Sequence, residues 1–285
     1  MQDRGYVIIA VNDAEYRMAA GLAYSIMLKN SNASISMLVD NIDAVDNKWL
    51  EPFANIIELP FFKAENAREN DWQLYWSTPY QYTIAIDCRS IVKENHDQIW
   101  DYLIGNYELY FPTQILNFDG DVLQANHMAP YRSEYFMLPV FSNMFYFEKD
   151  SEQTLRYFKL ADPYMREWRT ALAKHFSAQH VPTHYSADIM HSLLMECLTE
   201  QSPQINKDIL TYIDMLTALT DDRIGRWSNW IDRLNVWSSR GSKIKIQNFA
   251  INRTLFYFNE EFLTDEIFNE HRDQYRATFK AITNH

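Results

Sequence analysis

The chain has 285 residues, which suits one large α/β domain or one domain with a helical extension. Apolar residues make up 47% of it and only 6 residues are Gly, a globular composition that argues against long disordered stretches. The formal net charge of −12 repels phosphate backbones at long range and disfavours non-specific binding of nucleic acid.

The cysteines and the N-terminal segment bear on the compartment of the protein. Cys88 and Cys197 lie in apolar contexts without a CxxC pair or a His at ligand spacing, so the sequence predicts neither a disulfide nor a zinc site. The apolar stretch from Tyr6 to Val11 is too short for a signal peptide or a membrane span. We therefore expect a soluble, cytoplasmic protein with no membrane partner, in the host cytoplasm if the chain is viral.

Strand and helix patterns alternate over the first hundred residues. The continuous apolar run Gly5–Val11 predicts a strand buried on both faces, and Ala14–Asn30 has the periodicity of a helix. The alternation continues with predicted strands at Ser34–Val39, Ile56–Leu59 and Thr83–Ile86 and predicted helices at Val45–Phe53 and Arg68–Trp76. This order implies right-handed crossovers and a mainly parallel sheet flanked by helices, a Rossmann-like α/β architecture.

The pattern changes after Trp100. Further strands are predicted at Glu108–Phe111, Gln114–Phe118, Val140–Glu148 and Leu255–Phe258, with a turn at Asp119–Asp121 and an irregular loop at Leu123–Pro139. Helices are predicted at Ser151–Phe176, where Pro163 is expected to start a new helix, and at Tyr185–Glu200, Asp208–Thr217, Arg226–Val236 and Thr264–Thr283. Because no repeat and no linker interrupts the chain, we predict a single domain over residues 1–285 with a helical C-terminal part.

Polar clusters follow three of the predicted strands. They are Asn12 with Asp13, Asp40 with Asn41, and Asp87 with Cys88 and Arg89. Ligands bind beyond the carboxyl ends of parallel strands because helix N-termini and free backbone amides converge there. Asp87 has two interpretations: it caps a helix that follows, or it contacts a ribose hydroxyl or a metal bound to a diphosphate.

The residues around Asp87 carry a resemblance to a known family. TPYQYTIAIDCRSIV resembles the stretch of nucleotide-sugar glycosyltransferases of the GT-A fold that leads to their metal-binding Asp-x-Asp signature, and Pro79, Tyr80, Thr83 and Asp87 match it. GYVIIAVNDAEYRMAAGLAYSI is similar to the nucleoside-binding first strand and helix of the same enzymes. The resemblance implies a GT-A-like fold in which residues 1–122 bind the nucleotide-sugar and residues 123–285 bind the acceptor.

Three later segments extend the resemblance over most of the chain. LPVFSNMFYFEKD resembles a strand preceded by a polar bend, which here holds Ser142 and Asn143, and THYSADIMHSLL resembles an acidic helix start centred on Asp188. LFYFNEEFLTDEI resembles a C-terminal segment that carries a metal-binding His in the family. The resemblance implies that Ser142, Asn143 and Asp188 lie on the acceptor side.

Two departures bear on the metal that the family uses. Arg89 replaces the second acid of the signature, and Phe256 stands where the metal-binding His is expected. Asp87 alone is a poor ligand set for manganese or magnesium, so metal dependence stays open. A guanidinium grips diphosphate oxygens bidentately and stays charged, so Arg89 can replace the metal and stabilise the departing nucleoside diphosphate. The alternative is an ordinary ion pair of Arg89 with Asp87 or Glu94.

The resemblance implies a role for each remaining polar residue at the sheet edge. Asp188 would orient the attacking hydroxyl or accept its proton, unless it only caps its helix, and with Arg89 it forms the predicted catalytic pair. The predicted donor-binding residues, several of which also fit a turn, cap or core role, are Asn12, Asp13, Tyr16, Asp40, Asp87, Cys88 and Arg89.

We thus predict a hexosyl- or pentosyltransferase that moves a sugar from a nucleoside-diphosphate sugar to a hydroxyl of a glycan, a protein or a hydroxylated base of viral DNA. The last acceptor requires a basic patch, for which the candidates are Arg223, Arg226, Arg233, Arg240, Lys243, Lys245 and Arg253. These cations otherwise form a solvated surface. The alternative function is a non-catalytic nucleotide-sugar-binding protein, whereas a nucleotidyltransferase lacks support because no Gly-rich phosphate loop follows the first strand.

Overall fold

A computed structural model describes residues 2–61, 64–113, 116–117, 128–199, 213–215, 236–239, 243–246, 249–250, 255–257 and 265–283. The strands in chain order are β1 (Gln2–Ala10), β2 (Ile35–Val39), β3 (Asn55–Glu58), β4 (Tyr80–Ile86), β5 (Ser90–Val92), β6 (Leu109–Tyr110), β7 (Leu116–Asn117), β8 (Met144–Glu148), β9 (Ile213–Met215), β10 (Val236–Ser239), β11 (Lys243–Ile246), β12 (Phe249–Ala250) and β13 (Leu255–Tyr257). The α-helices are α1 (Asp13–Lys29), α2 (Leu74–Ser77), α3 (Asp97–Asn106), α4 (Ala129–Tyr135), α5 (Glu152–Arg166), α6 (Trp168–His175), α7 (Ala187–Thr199) and α8 (Asp265–Thr283).

Six strands form the main sheet, in the order β3-β2-β1-β4-β8-β6. The strands β1 to β4 pair in parallel, while β8 runs antiparallel to both β4 and β6. The predicted mainly parallel sheet flanked by helices is therefore confirmed. Since β1, β2 and β4 run in the same direction, their carboxyl ends lie at one edge of the sheet.

The two faces of β1 pack into two separate hydrophobic cores. Tyr6 and Ile8 belong to a core with residues of α1 and α3, and Val7 and Ile9 belong to a core with residues of α5 and α7. Successive side chains of a strand point to opposite faces, so a strand without polar residues is covered on both sides. This explains why the run after Gly5 shows no alternation of polar and apolar residues.

Gly5 leaves room for an aromatic ring on the neighbouring strand. A Cβ at this position would lie 2.4 Å from the ring of Tyr80, which is fully buried. The Tyr80 hydroxyl forms hydrogen bonds of 3.0 and 2.7 Å with the hydroxyls of Ser34 and Ser36. The glycine is thus explained by packing between β1 and β4.

Two smaller sheets and the C-terminal helix complete the described structure. One sheet has the order β5-β13-β9-β7 and the other β10-β11-β12. Helix α8 packs against α1 through Phe268, whose ring lies 5.4 Å from that of Trp49 and 6.0 Å from that of Tyr24. None of the described helices is long and apolar enough to cross a membrane.

Two predicted helices of the first half differ in kind from the structure. Val45–Phe53 is not an α-helix: the chain forms the short 3-10 helix Asn47–Trp49 there, and a second 3-10 helix, Ile42–Ala44, precedes it. Arg68–Trp76 begins as the 3-10 helix Ala67–Gln73 and becomes α-helical only at α2. The side chains of Asn41, Asp46 and Asn66 accept hydrogen bonds from backbone N–H groups two residues on, a local bond that favours tight turns over α-helix.

Several predictions for the second half are wrong. Pro163 lies inside α5 and starts no helix; the next helix begins at Trp168. The predicted helix Asp208–Thr217 contains strand β9, which pairs with β13, and α4 occupies part of the predicted loop Leu123–Pro139. The predicted strand Val140–Glu148 begins only at Met144.

The remaining differences concern β7, β5 and α3, and some predicted features lie outside the described residues. The strand predicted at Gln114–Phe118 is described only as β7, which joins the second sheet and not the main one. Strand β5 had no counterpart among the predictions, and the helix expected after Asp87 is α3, which begins only at Asp97. Lys243 and Lys245 lie on β11. The predicted turn Asp119–Asp121, residues 226–235 of a predicted helix, and Arg223, Arg226, Arg233, Arg240 and Arg253 lie outside the described residues.

Candidate functional site

A polar cavity of about 320 Å³ lies at the carboxyl end of β4. Five further segments contribute to its wall: strand β1, the start of α1, the 3-10 helix before α2, the bend before β8 and the start of α7. The polar residues that line it are Glu15, Asn66, Arg68, Asp71, Asp87, Cys88, Arg89, Ser142, Asn143, Tyr185, Ser186 and Asp188. Polar residues up to 173 positions apart in the chain, from Glu15 to Asp188, thus meet at the predicted edge of the sheet.

Asp87 is the buried anion of this cavity, with 5% of its surface exposed. Its Oδ1 accepts hydrogen bonds from the backbone N–H (2.9 Å) and the Nε–H (3.0 Å) of Arg89, and its Oδ2 accepts one from an Arg89 terminal N–H (2.8 Å). This turn leads directly into β5, and the next helix begins only at Asp97. Asp87 is therefore not a helix cap, and the predicted ion pair of Arg89 with Asp87 is present.

The charge state of Asp87 follows from these neighbours. Burial raises the pKa of the Asp87 carboxyl, but the Arg89 guanidinium, the hydrogen bonds from Arg89 and the Arg68 guanidinium outweigh burial and lower the pKa to about 2. The thiol of Cys88 has a raised pKa because it is buried and lies beside Asp87. At neutral pH, Asp87 is therefore ionised and Cys88 is a protonated thiol.

Arg68 is a second cation of the cavity that the sequence did not identify. Its guanidinium is 12% exposed and lies 3.4 Å from Oδ2 of Asp87 and 2.9 Å from Oδ2 of Asp71. It also donates a hydrogen bond of 2.6 Å to the backbone carbonyl of Ser142. The one sequence feature that could have pointed to Arg68 is the acid three residues after it. Many exposed ion pairs on helices have the same spacing, so this feature does not indicate a site.

Asp188 lies across the cavity and is held by the bend before β8. Its Oδ1 accepts hydrogen bonds from the backbone N–H (2.9 Å) and the hydroxyl (2.7 Å) of Ser142. Helix α7 begins at Ala187, so Asp188 lies within its first turn and does not cap it. The backbone carbonyl of Asn143 accepts a hydrogen bond of 2.8 Å from the N–H of Asp87, which joins the two sides of the cavity.

Two buried side-chain oxygen atoms at the cavity have no hydrogen-bond partner within the part of the chain that the structure describes. They are Oδ1 of Asn143 and the hydroxyl of Tyr185. Buried polar atoms of folded proteins nearly always have partners, so such atoms beside a cavity indicate where a ligand or water completes the hydrogen bonding. One is an acceptor and the other is able to donate, which suits a ligand that carries hydroxyl groups.

Four predicted donor-binding residues, Asn12, Asp13, Tyr16 and Asp40, do not line the cavity. Asn12 caps α1 by accepting the N–H of Glu15 (3.0 Å), which agrees with the cap interpretation of this residue. Asp13 accepts the indole N–H of Trp49 (3.0 Å), and the Tyr16 hydroxyl donates to Oδ1 of Asp40 (2.7 Å). These bonds fix the ends of β1 and β2 at the sheet edge.

The residues around Asp87 do not fit a divalent metal ion. Within the described part of the chain, no group of three or more His, Cys, Asp or Glu residues lies close enough together to hold one. Both oxygens of Asp87 already bind guanidinium groups, and the positive charges of Arg68 and Arg89 oppose a further cation. Phe256 stands where the resemblance leads us to expect a His. It pairs with Ile91 on β5, the strand that comes directly after the Asp87 turn.

Comparisons with known proteins bear on the fold. No family model and no curated protein matches the chain. The solved structure of the galactosyltransferase LgtC with donor and acceptor sugar analogs has 10% sequence identity and a TM-score of 0.52, with 95% of each chain covered. The fold of this chain is GT-A-like. An active-site mutant of LgtC has 10% sequence identity and a TM-score of 0.50, with 95% of each chain covered. Mouse xyloside xylosyltransferase 1 has 11% sequence identity and a TM-score of 0.49, with 91% of this chain and 98% of its own chain covered.

Proposed function

We propose that the protein is a glycosyltransferase that moves a sugar from a nucleoside-diphosphate sugar to an acceptor hydroxyl. The observation that carries the proposal is the cluster of Arg68, Asp87 and Arg89 at the carboxyl edge of a GT-A-like sheet, with Asp188 across the same cavity. Ligands of such sheets bind at this edge. LgtC, which has the same kind of fold, was solved with a donor and an acceptor sugar analog.

The two guanidinium groups supply the charge that a diphosphate leaving group requires. A guanidinium carries five N–H donors in a fixed fork, so it is able to hold a carboxylate and a phosphate oxygen at the same time. The side chain of Arg89 is 31% exposed and lies on the cavity wall, which lets a ligand reach it. Arg89 would stabilise the negative charge that develops on the nucleoside diphosphate as the bond to the sugar breaks. In this proposal the arginines take the place of a metal.

The opposite wall would hold the sugar and the acceptor. Oδ1 of Asn143 and the hydroxyl of Tyr185 offer one acceptor and one donor for sugar hydroxyls. The two hydrogen bonds from Ser142 fix the Asp188 carboxylate, so that it would orient the attacking hydroxyl or accept its proton. The donor would then occupy mainly residues 1–122 and the acceptor residues 123–285, in a hexosyl or pentosyl transfer to a glycan, a protein or a hydroxylated DNA base.

The test is thermal unfolding of the protein with UDP, GDP, CDP, ADP and sugars attached to each, with and without manganese. A ligand at 100 times its dissociation constant stabilises the native state by about 2.7 kcal/mol. For a chain of this size, with about 2.1 cal/mol/K of unfolding entropy per residue, that corresponds to a rise in Tm of about 4–5 °C. We expect at least one diphosphate to reach this rise without manganese. If none raises Tm, the donor site is wrongly assigned.

The second candidate function is a binding protein that holds a nucleotide-sugar without transferring it. The observation that favours it is that both oxygens of Asp87 are engaged by guanidinium groups, so the acid of the family signature is not available to a metal. Release of free sugar from the donor that raises Tm, or transfer to any acceptor, would exclude this function. Binding with neither reaction would support it.

A further inference from the structure

A fully buried histidine is connected to the cavity without touching it. His191 follows Asp188 by three residues in α7, and none of its surface is exposed. Its Nε2 lies 3.0 Å from Oδ2 of Asp71, and its Nδ1 forms a short hydrogen bond with the hydroxyl of Tyr157. The protein therefore contains a polar connection that leads from the core to the wall of the site.

The directions of these hydrogen bonds determine the form of His191. Asp71 pairs with the Arg68 guanidinium at 2.9 Å, so its carboxylate acts as an acceptor and the proton of the imidazole lies on Nε2. Nδ1 then accepts from Tyr157. Burial lowers the pKa of His191 more than Asp71 raises it, which agrees with a neutral ring. His191 is thus a neutral donor with a defined tautomer.

Oδ2 of Asp71 is shared by His191 and Arg68. Arg68 continues the connection to Asp87 and to the backbone carbonyl of Ser142. The guanidinium is therefore held by Asp71, Asp87 and the Ser142 carbonyl, and Asp71 is in turn fixed by the His191 side chain of α7. A long side chain such as arginine loses rotamer entropy when it is ordered, so a rigid partner helps to keep it in one conformation.

We propose that His191 is a positioning residue: through Asp71 it holds the Arg68 guanidinium in the orientation that binds the diphosphate. This rests on the proposed function, since it takes the diphosphate to be the ligand of Arg68. The alternative is a core histidine that only satisfies Asp71 and stabilises the fold. The two roles differ in whether a change at His191 acts on ligand binding through Arg68.

A matched pair of substitutions separates the two hydrogen bonds of the ring. In His191→Gln the side-chain amide reaches the place of Nε2, so a donor to Asp71 is kept, whereas in His191→Asn the amide reaches only the place of Nδ1, which faces Tyr157. We expect His191→Asn to weaken binding of the diphosphate by about tenfold to a hundredfold, the range seen when a partner that orients a binding group is lost. His191→Gln should restore most of this loss.

The decisive measurement is a double-mutant cycle on diphosphate affinity, determined by titration calorimetry with whichever of UDP, GDP, CDP or ADP raises Tm most. If His191 acts through Arg68, His191→Asn weakens binding in the wild-type protein but adds no further loss to Arg68→Ala. Equal losses in both backgrounds, or equal affinities of the Gln and Asn variants, would overturn the proposal. Should His191→Asn fail to fold, His191→Leu, which is apolar, similar in size and gives Asp71 no donor, replaces it in the same cycle with the same expectation.

The outcome also separates this inference from the proposed function. If the wild-type protein binds none of the diphosphates, the proposed function fails and the role of His191 in it fails as well. If the wild-type protein binds one and the cycle shows no coupling, only the positioning role fails. Tm of each unliganded variant shows whether a lost affinity merely reflects a lost fold.

Discussion

The ion pairs around Asp87 predict a defined loss of stability in acid. The guanidinium groups lower the pKa of this buried carboxyl from 3.8 to about 2, against the opposing effect of burial. Because the folded protein binds this proton less tightly than the unfolded chain, the carboxylate stabilises the fold above about pH 4, and the contribution disappears as the pH falls toward 2. A shift of nearly two pKa units corresponds to about 2 kcal/mol of unfolding free energy at neutral pH.

The prediction is tested by comparing the wild-type protein with Asp87→Asn, which keeps the shape of the side chain but removes its charge. We expect urea unfolding at pH 7 to show a loss of about 3–5 kcal/mol in the variant, since two guanidinium groups lose a buried partner. The gap should shrink by about 1–2 kcal/mol between pH 5 and pH 2.5, where Asp87 becomes protonated in the wild-type protein. Other carboxylates titrate in both proteins and cancel in the difference. A gap that stays constant or grows in acid would refute the reasoning.

Two further substitutions test the site and the packing of the sheet. Arg89→Ala should abolish transfer and weaken diphosphate binding by about tenfold or more, because charge-assisted hydrogen bonds to the diphosphate are lost. The control is Arg156→Ala on the exposed face of α5. Chelator should have little effect on the wild-type protein, and strong inhibition by it would show that a metal is used. Gly5→Ala should lower the unfolding free energy by about 1–3 kcal/mol because its Cβ meets the Tyr80 ring. Gly105 lies in α3, and a Cβ there would have no atom within 4 Å, so Gly105→Ala should instead raise the unfolding free energy by about 0.5–1 kcal/mol. Equal effects of the two glycine substitutions would contradict the packing argument.

The strands of the parallel sheet were readable from the sequence because each contains a short apolar run that a polar residue or a proline ends. The predicted strand Ser34–Val39 corresponds to Ile35–Val39, and Ile56–Leu59 corresponds to Asn55–Glu58. Predicted helices were less secure where asparagine and aspartate offered the backbone a competing hydrogen bond, as at Val45–Phe53. Strand β9 shows the opposite effect, in which pairing with a distant strand overrides a local helical pattern.

The candidate site divides in the same way between local and distant information. Asp87 and Arg89 are two residues apart, so their proximity and their ion pair follow from the chain itself. The Asp71 carboxylate and the His191 ring lie 120 positions apart, and their hydrogen bond exists only because α7 and the 3-10 helix that precedes α2 both pack against α5. A lone histidine in an apolar helix gives no sign of such a partner.

By itself, the sequence determined that apolar strands deliver polar groups to one edge of a mainly parallel sheet, because side-chain pattern and strand direction are local properties. The tertiary structure alone decided which of those groups share a cavity. It brought Arg68 and Asp71 to Asp87, left Asn12, Asp13, Tyr16 and Asp40 outside the cavity wall, and connected His191 to the site. The physical reason is that ion pairs and hydrogen bonds act over a few ångströms in space, whatever the separation of their residues along the chain.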